Sequence, residues 1–212
     1  APNFLTTADF NGDGRPDVAV GTNSATVTYL ALSHGTGYTM ATTSAFSPAG
    51  TSGTYGLDAA DFNGDGWADL ALSATGKGIY VALNNGLGGL LPATLASAKR
   101  EYYERVTAAD FNNDGHLDLL VGGRAIATTR LLTGVGDGTF NAAVDLTFTH
   151  AIADFANPDN GDFDGDGNQD VLCTRLYDGT RALLCYPGHG DGTFADAVAL
   201  HPTITAITWN GA

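Results

Sequence analysis

The chain has 212 residues, among them 29 glycines, and sets nine lysines and arginines against 23 aspartates and glutamates for a formal charge of −14. So few basic residues exclude a groove that tracks nucleic-acid phosphates, and no apolar run approaches the roughly 20 residues of a membrane-spanning helix. Abundant glycine, scarce charged helix formers and a length suited to one barrel or sandwich predict a single turn-rich, all-β domain.

Read in order, the chain repeats one unit. A short apolar lead-in enters the loop Asp9-Phe-Asn11-Gly-Asp13-Gly14-Arg15-Pro-Asp17, which exits on the apolar run 18–20. An alternating segment, 25–32, and a Gly-rich turn, 35–38, follow. The second unit has its loop at 61–69, an apolar run at 70–72, an alternating segment at 78–83 and a turn at 86–90. The third has a lead-in at 105–109, a loop at 110–118, an apolar run at 119–121, an alternating segment at 129–132, the turn Gly136-Asp-Gly-Thr-Phe140 and a closing segment at 142–147. The fourth has a loop at 162–170, an apolar run at 171–173, an alternating segment at 181–186 and the turn Gly190-Asp-Gly-Thr-Phe194. Short apolar runs bounded by Gly, Ser or Thr predict strands, three to four antiparallel ones per unit. The Gly-rich turns read as hairpins, because a nucleotide-binding glycine loop opens a helix and none follows here.

Loop starts at residues 9, 61, 110 and 162 are spaced by 52, 49 and 52, a period of the kind that marks propellers and solenoids. The boundaries fall near 4–55, 56–104, 105–149 and 150–204, within one domain. Residues 205–212 align with the start of a fifth unit, but Thr208 stands at its first loop position.

Positions 1, 3, 5 and 9 of each loop supply side-chain oxygens: Asp9, Asn11, Asp13 and Asp17; Asp61, Asn63, Asp65 and Asp69; Asp110, Asn112, Asp114 and Asp118; Asp162, Asp164, Asp166 and Asp170. With Gly at position 6 folding a tight turn and a backbone carbonyl at position 7 (Arg15, Trp67, His116, Asn168), each set suits a hard cation that takes six to eight oxygens, hence about four Ca2+ ions. An EF-hand is excluded, since position 12 is Val20, Leu72, Val121 or Cys173 rather than a bidentate Glu. The loops hold 13 of the 23 acids, so one divalent ion per loop would reduce −14 to −6 and link folding to the metal.

Two stretches depart from the repeat. Residues 99–105 place Arg100, Tyr102, Tyr103 and Arg105 together, an aromatic-plus-cation set suited to a sugar ring and its hydroxyls, set against a plain exposed connecting strand. Residues 154–161 restart the Ala-Asp-Phe lead-in before the fourth loop and read as an eight-residue, solvated insertion around Pro158. If the turn at 178–180 has three residues, Cys173 faces Cys185 across strands, leaving a disulfide and two buried thiols both open. The start at Ala1-Pro2 is compatible with a processed secreted chain or a trimmed one.

The lead-in, the Asp-Phe-Asn-Gly-Asp-Gly-x-x-Asp loop, the Leu/Val strand and the Gly-Asp-Gly-Thr-Phe turn resemble the FG-GAP/VCBS repeat of integrin α-subunits, some fungal lectins and many secreted bacterial proteins. The resemblance implies a β-propeller or partial propeller of about four blades, with calcium in the loops just named. Four units against the family's usual seven leave a small closed ring, a piece of a larger one, or a partial propeller completed by a homo-oligomer. It further implies a secreted, calcium-stabilised binding module for carbohydrate or for an extracellular protein. No zinc spacing or Gly-x-Ser-x-Gly elbow supports catalysis, and carboxylates needed by a metal make poor acids or bases. A lectin-like module is therefore the first expectation, an integrin-like adhesion or assembly scaffold the alternative, and a polysaccharide lyase the third.

Overall fold

The computed structural model describes residues 2–22, 29–34, 36–41, 53–74, 76–98, 104–123, 129–146, 156–177 and 180–204. They form sixteen strands in four antiparallel sheets, each in simple meander order. Blade 1 is β1 (Pro2–Ala8), β2 (Asp17–Thr22), β3 (Tyr29–His34) and β4 (Gly37–Ala41). Blade 2 is β5 (Thr54–Ala60), β6 (Asp69–Ala74), β7 (Gly78–Ala82) and β8 (Thr94–Ser97). Blade 3 is β9 (Glu104–Ala109), β10 (Asp118–Gly123), β11 (Thr129–Leu132) and β12 (Val144–Leu146). Blade 4 is β13 (Ala156–Gly161), β14 (Asp170–Tyr177), β15 (Thr180–Tyr186) and β16 (Val198–Ile204). No helix of the described residues is long and apolar enough to cross a membrane.

The first strands of successive blades pack on one another, β1 on β5, β5 on β9 and β9 on β13, so they line an axis with the sheets radiating outward. Lacking sheet pairing there, they are tied by side chains. Asp58 on β5 accepts the Ala108 amide of β9 at 2.8 Å, and Thr107 of β9 donates its hydroxyl to Asn160 of β13 at 2.6 Å.

A blade with neighbours on both faces must be apolar on both, and β6 is buried at every position. Alternate residues serve different junctions. Leu70 and Leu72 join Phe10, Ala19 and Leu30 in the core between blades 1 and 2, while Ala71, Ile79 and Val81 join Val106, Leu119 and Val121 between blades 2 and 3. A third core puts Phe111, Leu120 and Leu131 against Val171, Cys173 and Tyr186 between blades 3 and 4. Among the described residues no comparable packing joins β13 to β1, and the blades form an arc.

Two expectations change. Residues 156–161 are the inner strand of blade 4 rather than a solvated loop, with a register shift between Ala156 and Asp159 that accommodates Pro158. Proline is tolerated because β13 pairs only with β14 and a bulge needs no donor there. The cysteines are free and buried. Tyr177 pairs with Thr180, which leaves a two-residue connection and shifts the register by one from the three-residue reading: Cys173 opposes Leu184, and Cys185 opposes Leu172. The two thiols therefore project from opposite faces. Residues 154, 155 and 205–212 lie outside the described set.

Candidate metal centre and axial pocket

Each loop joins an inner strand to the next strand of its blade, and its first aspartate organises it. In loop 1, Asp9 Oδ1 accepts the amides of Gly12 (2.7 Å) and Asp13 (3.1 Å), and Oδ2 that of Gly14 (2.7 Å). Asp61 repeats the same three bonds with Gly64, Asp65 and Gly66. Side chains at positions 3 and 5 accept further amides two residues on, as Asn63 does from Asp65 at 3.1 Å and Asp65 from Trp67 at 2.9 Å. The turn takes positive φ at position 4 as well as at position 6: Gly12 +71°, Gly64 +73°, Asn113 +56° and Gly165 +84°. Only glycine, or asparagine with its local hydrogen bonding, enters that region readily. The Gly-Gly-Asn-Gly recurrence at position 4 is a sequence signal for this turn beside the glycine at position 6.

The four position-9 aspartates behave unlike the rest. Asp17, Asp69, Asp118 and Asp170 are fully buried. Asp69 accepts Phe62 N on Oδ2 (2.9 Å) and Asn84 N on Oδ1 (2.7 Å), and Asp118 accepts Phe111 N (3.0 Å) and Gly134 N (2.8 Å). Asp17 and Asp170 make the same pair of bonds, to Phe10 and Ser33 and to Phe163 and Gly188. Each thus pins the loop entrance to the far end of the next hairpin. Burial, with the nearby loop carboxylates adding, pushes Asp69 and Asp118 up to about 6 against the amides that favour the charge.

At the loop mouths the carboxylates are exposed. In loops 2 and 3 the position-3 asparagine donates its amide to the position-5 aspartate, Asn63 to Asp65 and Asn112 to Asp114, both at 2.9 Å. Loop 4 has Asp164 instead, and carboxylate oxygens of Asp162, Asp164 and Asp166 lie within 4.8 Å of one another. Three close anionic oxygens form an all-oxygen donor set that fits a hard divalent cation. Two position-7 side chains, Trp67 and Asn168, reach the preceding loop: the Trp67 ring lies where a Cβ on Gly12 would stand, 2.7 Å away, and Asn113 Nδ2 donates to Asn168 Oδ1 at 2.8 Å. Sequence reasoning assigned those residues only their carbonyls.

The Gly-rich turns close hairpins, through isolated bridges Asn84 to Leu90, Gly134 to Phe140 and Gly188 to Phe194. They also dock under the neighbouring loop, Gly138 N donating to Phe62 O at 3.0 Å and Gly192 N to Phe111 O at 2.9 Å.

Around the axis, at the end of the inner strands away from the loops, a cavity of about 180 Å3 is lined by Phe4, Leu5, Leu57, Arg105, Val106 and Pro158. The Arg105 guanidinium stacks 4.1 Å from the Phe4 ring centroid, and Phe4 meets Tyr55 at 5.8 Å. Burial holds the Arg105 pKa below the usual guanidinium value, and among the described residues no carboxylate forms an ion pair with it. Of the residues singled out at 99–105, Arg105 is therefore placed at this cavity, while Arg100, Tyr102 and Tyr103 lie outside the described residues.

Four-stranded meander blades arranged about an axis, each with an Asp-rich loop between its first two strands, define a propeller-like repeat protein. The FG-GAP-like repeat family matches residues 9–72 and 63–121, and the chain belongs to that family. No curated protein matches the chain. Among solved structures it is similar to an Agrocybe aegerita lectin described for specific recognition of non-reducing terminal N-acetylglucosamine, at 20% identity and a TM-score of 0.64. The match covers 92% of this chain and 52% of the lectin, so the chain spans about half that protein's length.

Proposed function

We propose that the chain is a calcium-stabilised, extracellular binding module that recognises carbohydrate, with calcium acting as a staple in the loops and the ligand bound elsewhere. The carrying observation is the axial cavity, where a half-buried guanidinium without a carboxylate partner among the described residues stacks on the Phe4 ring. Sugar rings present an apolar face to aromatic groups and hydroxyls to charged donors, and Arg105 offers several donors. The lectin likeness supports the same reading, and FG-GAP repeats often bind calcium. In loop 4, Asp162, Asp164 and Asp166 would hold the ion; in the others the equivalent Asp and Asn oxygens would do so. Bound there, calcium would neutralise carboxylates that otherwise repel across each turn. Nothing in this reading requires a catalytic group.

A glycan array in calcium, repeated in chelator with folding monitored, tests the proposal. Selective binding that falls tenfold or more in Arg105→Ala, the rough worth of one charged hydrogen bond, supports it. Loss in chelator without unfolding would make calcium a ligand contact instead of a staple. The apolar ends of the arc favour a second reading, an assembly scaffold, and silence across the array from well-folded protein would select it.

A further inference from the structure

One phenylalanine locks each blade to the next. Phe10, Phe62 and Phe111, second residues of loops 1 to 3, are 0%, 3% and 1% exposed and belong to the cores shared with blades 2, 3 and 4. Phe62 meets Phe140, and Phe111 meets Phe194, edge-on at 5.7 Å, while Phe10 shares its core with Leu90. Their carbonyls accept bonds from the next blade: Phe10 from Asn84 Nδ2 at 2.9 Å, and Phe62 and Phe111 from the turn glycines.

Phe163 holds the same place in loop 4 but is 47% exposed, and its carbonyl meets no donor among the described residues. Beside it Leu172 is half-buried, whereas Ala19, Ala71 and Leu120 at that position are 0%, 0% and 1% exposed. Blade 1 shows the converse on its opposite face. Leu5 is 68% and Tyr38 57% exposed, and Val18 and Val20 are half-buried. Their counterparts in blade 3 are Val106, 6% exposed, and Leu119 and Val121, both fully buried. A lone exposed leucine is ordinary, but Phe163 is exposed where its three counterparts are buried, and Leu172, Val18 and Val20 are less covered than all of theirs, so among the described residues these two faces are unpaired.

We infer that the Phe163 face of blade 4 docks on the Leu5–Tyr38 face of blade 1 in a second copy of this chain. The three internal junctions show that faces of these two kinds fit, and every copy carries one of each. Such a contact is heterologous, so two copies joined at both junctions close a ring of eight blades, and a junction made once continues into a chain.

Analytical ultracentrifugation of the 212-residue chain in calcium tests this with two substitutions at exposed positions, one on each face, Phe163→Ser and Leu5→Glu, with circular dichroism checking that each variant folds. The wild type should sediment above 21.7 kDa, at twice that mass if the ring closes. Each variant should be monomeric. Mixed in equal amounts they should form a dimer and nothing larger, because Phe163→Ser retains the blade 1 face and Leu5→Glu the blade 4 face. A wild type that stays monomeric at about 100 μM, a hundredfold above a micromolar Kd, would overturn the inference and leave these faces to further repeats of one polypeptide. Association that survives both substitutions, or variants that fail to complement, would overturn it equally.

Discussion

Both carboxylate oxygens of Asp69 accept buried backbone amides, whereas Asp65 stands at the mouth of the same loop, and the two should respond differently to substitution. Asp69→Asn leaves only one acceptor oxygen for two buried donors, so it should cost about 1–3 kcal/mol whether or not calcium is present. Asp65→Ala should lower stability in calcium and have little effect in chelator. Thermal melts of both variants in the two conditions check the distinction, and equal responses would return Asp69 to a purely metal-ligating role. The same burial sets a pH dependence. Asp69 and Asp118 titrate near 6 in the fold and near the ordinary 3.8 when unfolded. Between those values the folded state binds more protons, so stability falls as pH rises, by about 1–3 kcal/mol for each carboxyl. Asp114 and Asp166, held below the usual range first by the amides of His116 and Asn168, act in the opposite sense only at lower pH. In chelator the protein should therefore melt higher at pH 5 than at pH 7.5, and calcium should reverse the order, because it binds the ionised loops and displaces protons.

At the scale of the element, each Gly-rich turn both closes its own hairpin and seats the neighbouring blade. Gly138 and Gly64 have similar positive φ, +83° and +73°, so Gly→Ala at either position costs about 1–2 kcal/mol for the left-handed backbone. A Cβ on Gly64 meets nothing within 4 Å, but one on Gly138 would lie 2.7 Å from Leu83. Gly138→Ala should thus be the more damaging by about 1–3 kcal/mol, the range for overpacking a core. Chemical denaturation of the two variants measures the difference. The turn was legible in the sequence because Gly-Asp-Gly-Thr-Phe recurs; its partner was not, since contact with a loop 76 residues earlier leaves no local signal. The loops were legible for the same reason, their spacing being fixed by local hydrogen bonds. β13 was misread because Pro158 carries a local signal of loop, and that signal yields when the residue sits on a strand paired along one edge. Likewise the register of Cys173 and Cys185 turned on a single turn residue, below what composition can resolve.

For the molecule as a whole, charge is the term that spans all four blades. Thirteen carboxylates lie in the loops of a chain with net charge −14, so without counter-charge the loops of every blade carry repulsion. Two cation effects are separable. Screening by monovalent salt weakens repulsion between exposed carboxylates, with a Debye length near 8 Å at physiological ionic strength, and requires no site. Site binding requires oxygens at fixed spacing, as Asp162, Asp164 and Asp166 provide within 4.8 Å. At millimolar calcium, loops with affinities near 10⁻⁴ M would each gain on the order of 1 kcal/mol by mass action. The melting temperature should therefore rise with calcium at constant ionic strength, and magnesium, which demands a tighter octahedron and gives up water reluctantly, should substitute poorly. Loop 4, with four acids against three in the others, should bind first, so Asp164→Asn should weaken the earliest part of a calcium titration followed by calorimetry. If sodium chloride at matched ionic strength raised the melt as much as calcium does, the loops would be acidic turns responding to screening. The stabilising role of calcium would then have to be abandoned, while the blade packing, which rests on apolar cores away from the loop mouths, would stand.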